Sequence, residues 1–528
     1  MDQPDRSLAR GQNRSGNHLC GAGTGRDAQA EGQDEKEFLM KTLQLIFLTL
    51  ACNQMSMAQS QPSFELSYSP NLTGNFTGMV YLMFTESRRQ APSQGPDWFN
   101  TEPFYRTYVE DWKPDTPLVM DGKTMGFPAT LGELESGAWR AQAVMRYDPN
   151  SASVAGGNAH VSKVVELEND NSTTWPISIV IDESTEPRPF PSIPNSKVLT
   201  FRSTLLSDFH KRDVDMKAVA FFPPGFEDEP GKEWPVLYII GGFPGGLGQA
   251  TMAPMLWGSY AGNNDFVLVY LGAETITGHH VFADSSNNGP YGTALVTEFI
   301  PWLESTYPLR AEPSGRLLTG HSSGGWSSLW LQVTYPDTFG GTWSTAPDPV
   351  DFRAFQEVDV YAEDGNAYEK PDGSPTGVAR KGPRQPEINL KDFCRMEEAL
   401  ILGGQIRSFE FVFSPKGKTA WPKPLFDRQT GRIDPDVAEA WKKYDISLIL
   451  LEKWKEIGPS LAGKIHVYMG NEDTFYLDNA VRLMKKRCED NGIDVEIVML
   501  PGDHSSILFG NLPRQILADM KATAKLED

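Results

Sequence analysis

The chain has 528 residues, and at about 100–200 residues per domain that length predicts two to four domains. Its formal net charge is -21, from 48 Lys+Arg against 69 Asp+Glu, so it repels phosphate backbones, which excludes general nucleic-acid binding. Four cysteines with no CxxC pair exclude a disulfide-built scaffold and a multi-cysteine zinc module, and a mean hydropathy of -0.39 describes a soluble globular composition.

Residues 1–39 are polar and carry no apolar periodicity. Met40-Lys41, an apolar run from Leu43 to Cys52 and the small residues Ser56-Met57-Ala58 then describe a secretory signal peptide over 40–58, within a leader of 1–58. The expected location is periplasmic or secreted. The apolar run is about ten residues, too short to span a bilayer. A lipid-anchor reading at Cys52 competes, but Thr49 stands where an aliphatic residue is needed. Without the leader only Cys394 and Cys488 remain, so one disulfide at most can form in an oxidising compartment.

Residues 59–185 read as a β-sandwich domain of immunoglobulin-like type. Phe64–Ser69, Gly78–Phe84 and Trp139–Met145 read as alternating strands, with Gly, Asn and Pro between them. Pro187, Pro189, Pro191 and Pro194 mark a stiff linker over 186–199. From 200 to 528 the pattern is α/β. Val236–Ile240 and Phe266–Leu271 are continuous apolar strands, and Leu295–Leu303 has helical spacing. Arg316–Thr319, Lys464–Met469 and Val495–Leu500 are further strands, and Leu477–Cys488 is an amphipathic helix. The alternation predicts an α/β-hydrolase fold with a mostly parallel sheet, interrupted by an insertion over 350–445.

The sharpest motif is Gly320-His321-Ser322-Ser323-Gly324-Gly325, a GxSxG between a strand and a helix. That context is the nucleophile elbow, where glycines clear room for a serine on a strained turn. Ser323 is the competing serine, but His321 rather than Gly lies two residues before it. A serine hydroxyl needs a base, and the base a carboxylate. Only His466 and His504 lie well after Ser322. His466 sits inside a strand, whereas His504 lies in the loop past the last one. Asp473, in Gly470-Asn-Glu-Asp, follows a strand as the acid should, with Glu472 in reserve. Asp503 is too close to His504 to orient it. For the oxyanion, the donors expected are the N–H groups of Ser323 and Phe243, with Gly242 second, in the loop after Val236–Ile240.

A second loop, Gly278–Gly292, holds His280, Asp284 and Asn288 and could bind substrate or simply hold itself together through Asx turns. Asp348 and Asp351 carry the same ambiguity. No HxH, HExxH or EF-hand spacing occurs, so neither metal nor cofactor is expected.

Through Val236–Gly246, Gly320–Gly325, Gly470–Asp473 and Gly502–His504, the segment 200–510 resembles the Putative esterase family of α/β-hydrolases, which includes esterase D-like, enterochelin esterase-like and feruloyl esterase-like enzymes. The resemblance implies carboxyl-ester hydrolysis by Ser322, Asp473 and His504. Gly241-Gly242 replaces the His-Gly pair that often precedes the oxyanion loop in such esterases. The β-rich region before it is similar in arrangement to that of enterochelin esterase-like proteins. The reading is a serine esterase acting through an acyl-enzyme on a small-molecule or glycan ester, its oligomeric state open. The alternatives are a lapsed hydrolase scaffold that binds, or acyl transfer or peptidase chemistry by the same triad.

Overall fold

Continuous apolar runs become the inner strands of an eight-stranded sheet. The computed structural model describes residues 61–99, 101–146, 153–186, 189–229, 231–258, 262–382, 387–401 and 403–526. The expected leader with its signal peptide and Cys52, and Pro187 of the expected linker, lie outside the described residues.

The N-terminal region contains β1 (Phe64–Tyr68), β2 (Phe76–Thr85), β3 (Phe104–Trp112), β4 (Leu118–Met120), β5 (Gly126–Phe127), β6 (Gly137–Met145), β7 (His160–Ser162), β8 (Val165–Asn169) and β9 (Ile177–Ser184). The sandwich expectation needs correcting, because these strands do not divide into two separate sheets. They join in the order β4-β1-β9-β7-β6-β2-β3-β5, with β8 also on β6. The long strand β6 makes the join. Its first residues pair with β8, its last two with β7, and its other edge with β2. One face encloses a core of Phe64, Leu66, Val80, Leu82, Phe84 and Ile181.

The other face is buried too. Tyr81, Met83, Phe104, Val144 and Val161 belong to the same apolar core as the α/β region. Apolar residues on both faces of β2 make its middle a near-continuous apolar run rather than an alternation. Tyr81 Oη and Arg106 Nε also donate to the carbonyls of Leu400 and Ala399, at 2.7 and 2.6 Å. The Pro-rich joint is likewise anchored: Phe190 packs edge-on to Phe221, and the next strand starts at Ser196, inside the expected linker. Residues 61–528 therefore form one compact unit, not two bodies on a spacer.

The second sheet comprises β10 (Ser196–Arg202), β11 (Asp215–Phe221), β12 (Val236–Ile240), β13 (Val267–Leu271), and, after two short hairpins β14 (Glu274–Thr275)–β15 (Gly278–His279) and β16 (Asp284–Ser285)–β17 (Gly289–Pro290), β18 (Arg316–His321), β19 (Gly341–Thr345), β22 (Ile465–Gly470) and β23 (Glu496–Leu500). The small pair β20 (Gly377–Ala379)–β21 (Ile388–Asn389) lies in the insertion. The order is β10-β11-β13-β12-β18-β19-β22-β23. The sheet is mixed: β10, β11 and β13 pair antiparallel, and the rest of the order is parallel. All five residues of β12 are buried, each contributing about 1.5–3 kcal/mol as an upper estimate. Loops at the carboxyl ends of parallel strands gather at one edge, where ligands bind in such sheets.

The helix Ser323–Thr334 follows β18 and is buried from Ser323 to Val333, which gives the elbow a rigid base. The insertion folds into helices Leu390–Leu400, Gln405–Phe413 and Pro435–Trp441. Cys394 and Cys488 are both buried free thiols, so the conditional disulfide does not form. Among the described residues no helix is long and apolar enough to cross a membrane.

Candidate active site

The elbow is set by backbone chemistry. Ser322 has φ 59 and ψ -125, a strained conformation for a residue with a Cβ. A Cβ on Gly320 would strike the Gly324 carbonyl, and one on Gly324 would strike the Ile240 carbonyl. Strand β19 braces the turn: Ser322 N donates to Thr345 O at 3.1 Å, Thr345 Oγ1 to Gly320 O at 2.9 Å, and Ser344 Oγ to Gly325 O at 2.9 Å. Gly324→Ala should destabilise the fold by about 1–3 kcal/mol and lower activity, read as a lower urea midpoint. An unchanged midpoint would mean the turn has room to relax.

His504 follows β23, is 6% exposed, and its Nδ1 lies 2.7 Å from Asp473 Oδ2. Asp473 follows β22 and is fully buried, and its other oxygen accepts from Phe475 N at 2.8 Å. With the carboxylate on Nδ1, the imidazole holds its proton there and leaves Nε2 as an acceptor. Phe475 lies edge-on to the His504 ring at 4.9 Å, and His321 lies 4.6 Å from it. Burial, with His504 beside it, holds the His321 ring well below its usual pKa and hence neutral. Glu472 is exposed, and Asp503 caps its own turn by accepting from Ser505 N and Ser506 N. His466 stacks on Trp343 at 4.9 Å and bonds Glu496 at 2.7 Å, the ordinary life of a sheet histidine.

Ser322 and His504 line one cavity of about 450 Å³. Among the described residues no hydrogen bond joins them. The Ser322 hydroxyl points instead to Asp348 Oδ1 at 3.5 Å. Asp348, 3% exposed, also accepts from Ser323 Oγ at 2.5 Å and from Gln405 Nε2 at 3.3 Å. The sequence leaves Asp348 undecided and does not single out Gln405, which comes from the insertion. Asp351, the other undecided carboxylate, is tied to Arg353, Arg487 and Ser447 in a buried ion cluster.

Burial pushes the Asp348 carboxyl up to about 6, opposed by the Ser323 hydrogen bond. A carboxyl raised on folding takes up protons in the folded state between about pH 4 and 6. Its contribution to stability is therefore full below pH 4 and lost as pH rises through 6. Asp348→Asn removes that dependence. The stability of the variant relative to the wild type should rise by about 2 kcal/mol from pH 4 to pH 7 in urea titrations. Parallel pH profiles would contradict the shift.

The oxyanion candidates lie beside Ser322. Gly242 approaches so closely that a Cβ there would sit 3.1 Å from Ser322 Cβ. Ser323 N opens the helix Ser323–Thr334, where the first N–H groups have no partner within the helix. Phe243 lines the cavity. His279 pins the loop: its Nδ1 accepts from Val281 N at 2.8 Å, and its Nε2 donates to Gly241 O at 3.1 Å. Burial holds this ring down to about 4, so it stays neutral and keeps that tautomer.

The loop of His280, Asp284 and Asn288 does not join this site, and none of the three lines the cavity. His280 stacks on Tyr291 at 3.7 Å, Asp284 binds Thr293, and Asn288 Oδ1 accepts from Thr277 at 3.0 Å. Their substrate-binding reading gives way to the self-contained loop, because short polar side chains there find local donors. No cluster of metal-ligating side chains occurs among the described residues.

Fold and site together define an α/β-hydrolase. Residues 211–506, more than half of the chain, match the family described as "Putative esterase". The chain belongs to that esterase family and is a hydrolase enzyme. Among curated proteins none matches it. Similar solved structures include a ferulic acid esterase (15% identity, TM-score 0.39, covering 62% of this chain and 99% of that one). A fluorophosphonate-binding serine hydrolase of Staphylococcus aureus shares 14% identity at TM-score 0.37, covering 62% and 97%. An S-formylglutathione hydrolase from Agrobacterium tumefaciens shares 14% at TM-score 0.36, covering 62% and 94%. Overlaps this loose add nothing to the family assignment.

Proposed function

We propose that the protein is a serine carboxylic-ester hydrolase that works through Ser322, His504 and Asp473. The observation that carries this is the buried 2.7 Å pair between His504 Nδ1 and Asp473 Oδ2, whose histidine lines the same cavity as a serine on a strained elbow. Ser322 Oγ attacks the ester carbonyl while His504 Nε2 takes its proton. Asp473 keeps the ring oriented and stabilises the imidazolium. The oxyanion meets the N–H groups of Ser323 and of Phe243 or Gly242. Collapse breaks the bond to the alcohol, which leaves with the proton from His504. Water, deprotonated by the same nitrogen, then releases the acid.

One observation favours a lapsed binding scaffold: the Ser322 hydroxyl rests toward Asp348 rather than His504. A turn about one side-chain bond redirects it, and catalytic hydrogen bonds often tighten only when substrate arrives. An ester panel on the full chain decides between the readings. Turnover of short-chain or aryl esters supports the esterase, and none across the panel supports the scaffold.

A further inference from the structure

The cavity is not built by the esterase region alone. Trp98, on the segment between β2 and β3, lines it together with Ser322. That segment is tied down: Thr85 Oγ1 donates to Glu102 at 2.6 Å, Ser93 N to Gln142 at 3.1 Å, and Phe99 N to Asp97 at 2.7 Å. The indole then meets two other parts of the chain. It lies 5.2 Å from Phe243, on the oxyanion loop, and 5.2 Å edge-on from Phe393, in the insertion. Neighbouring contacts extend the join, with Phe99 6.0 Å from Phe475 and Thr101 Oγ1 3.3 Å from Met396 Sδ. Three segments distant in sequence thus converge on one ring. The remaining wall includes Met252, Leu256, Ile406 and Leu508, and an apolar wall selects for apolar ligand surface.

Resting on the esterase reading, we propose that Trp98 is a specificity-determining residue through which the N-terminal sheet shapes the acyl pocket for a bulky apolar acyl group. The side follows from the chemistry. The leaving alcohol must sit at His504 Nε2 to receive its proton; among the described residues the Trp98 ring touches Phe243, on the loop that would hold the acyl carbonyl oxygen, and Phe393, and makes no ring contact with His504. A cavity of about 450 Å³ holds a medium alkyl chain or a ring.

The test measures kcat/KM of the full chain and of Trp98→Ala on p-nitrophenyl acetate and octanoate, and on acetate esters of varied alcohols. The octanoate-to-acetate ratio should fall about 10- to 100-fold, mostly through KM, while the ranking of alcohols holds. Trp98→Phe should restore part of the ratio, and it serves alone if the alanine variant does not fold. An unchanged ratio overturns the proposal and leaves the esterase reading standing. So does an equal loss on every ester, which makes Trp98 a prop for Phe243 instead. No turnover of any ester by the wild type overturns both.

Discussion

Ser322→Ala is expected to lower kcat on any ester the protein turns over by on the order of 10⁴-fold or more, and to abolish labelling by a fluorophosphonate probe. The size of the effect follows from the role. Without Oγ no acyl-enzyme forms, and the oxyanion donors alone can only assist direct attack by water. The fold should survive, because the Ser322 anchors in the turn are backbone groups: N to Thr345 O, and O from Trp326 N and Asp348 N. An equal thermal midpoint would separate lost chemistry from lost structure. Labelling that persists in the alanine variant would move the nucleophile elsewhere, with Ser323 the first candidate. Ser323 is 1% exposed and its hydroxyl is held by Asp348, so its hydroxyl is poorly placed to attack.

The second large effect belongs to the His504–Asp473 pair. His504→Ala should cost about as much as Ser322→Ala, and the two together little more, since members of one relay are not additive. Asp473→Asn is the sharper experiment. The asparagine amide would donate to Nδ1 and drive the imidazole proton onto Nε2, where it blocks acceptance from Ser322. A fall in kcat on the order of 10⁴-fold is expected with little change in KM. Asn also offers an oxygen to Phe475 N, so the loop keeps its shape. A variant of near wild-type kcat would show that Asp473 does not orient the base, and Asp348 would be the next carboxylate to replace.

The parts of this molecule visible in its sequence are those whose signal is local. The elbow glycines, Asp473 after β22 and His504 after β23 each lie within a few residues of a strand end, and that placement singles them out as candidates. Strand β19 is different. Gly-Thr-Trp-Ser-Thr reads as polar, yet all five residues are buried because Ser344 and Thr345 turn their hydroxyls onto the elbow. Its polarity is the price of bracing the Ser322 turn. The N-terminal sheet misled for the opposite reason. Both faces of β2 are apolar because one faces its own core and the other the α/β region, so the expected independent sandwich became part of one unit. Trp98, Gln405 and Phe393 have no motif around them, and only tertiary packing brings them to the cavity. His280, Asp284 and Asn288 illustrate the converse error, where a dense polar loop satisfied itself.

An acyl-enzyme at this site requires a covalent bond to one atom, Ser322 Oγ. Rapid quenching of the full chain with a p-nitrophenyl ester, followed by mass spectrometry of its peptides, tests that bond directly. A nitrophenol burst near one equivalent and an acyl adduct on Ser322 are expected. Turnover with no adduct, or an adduct on any other residue, would contradict the Ser322 assignment.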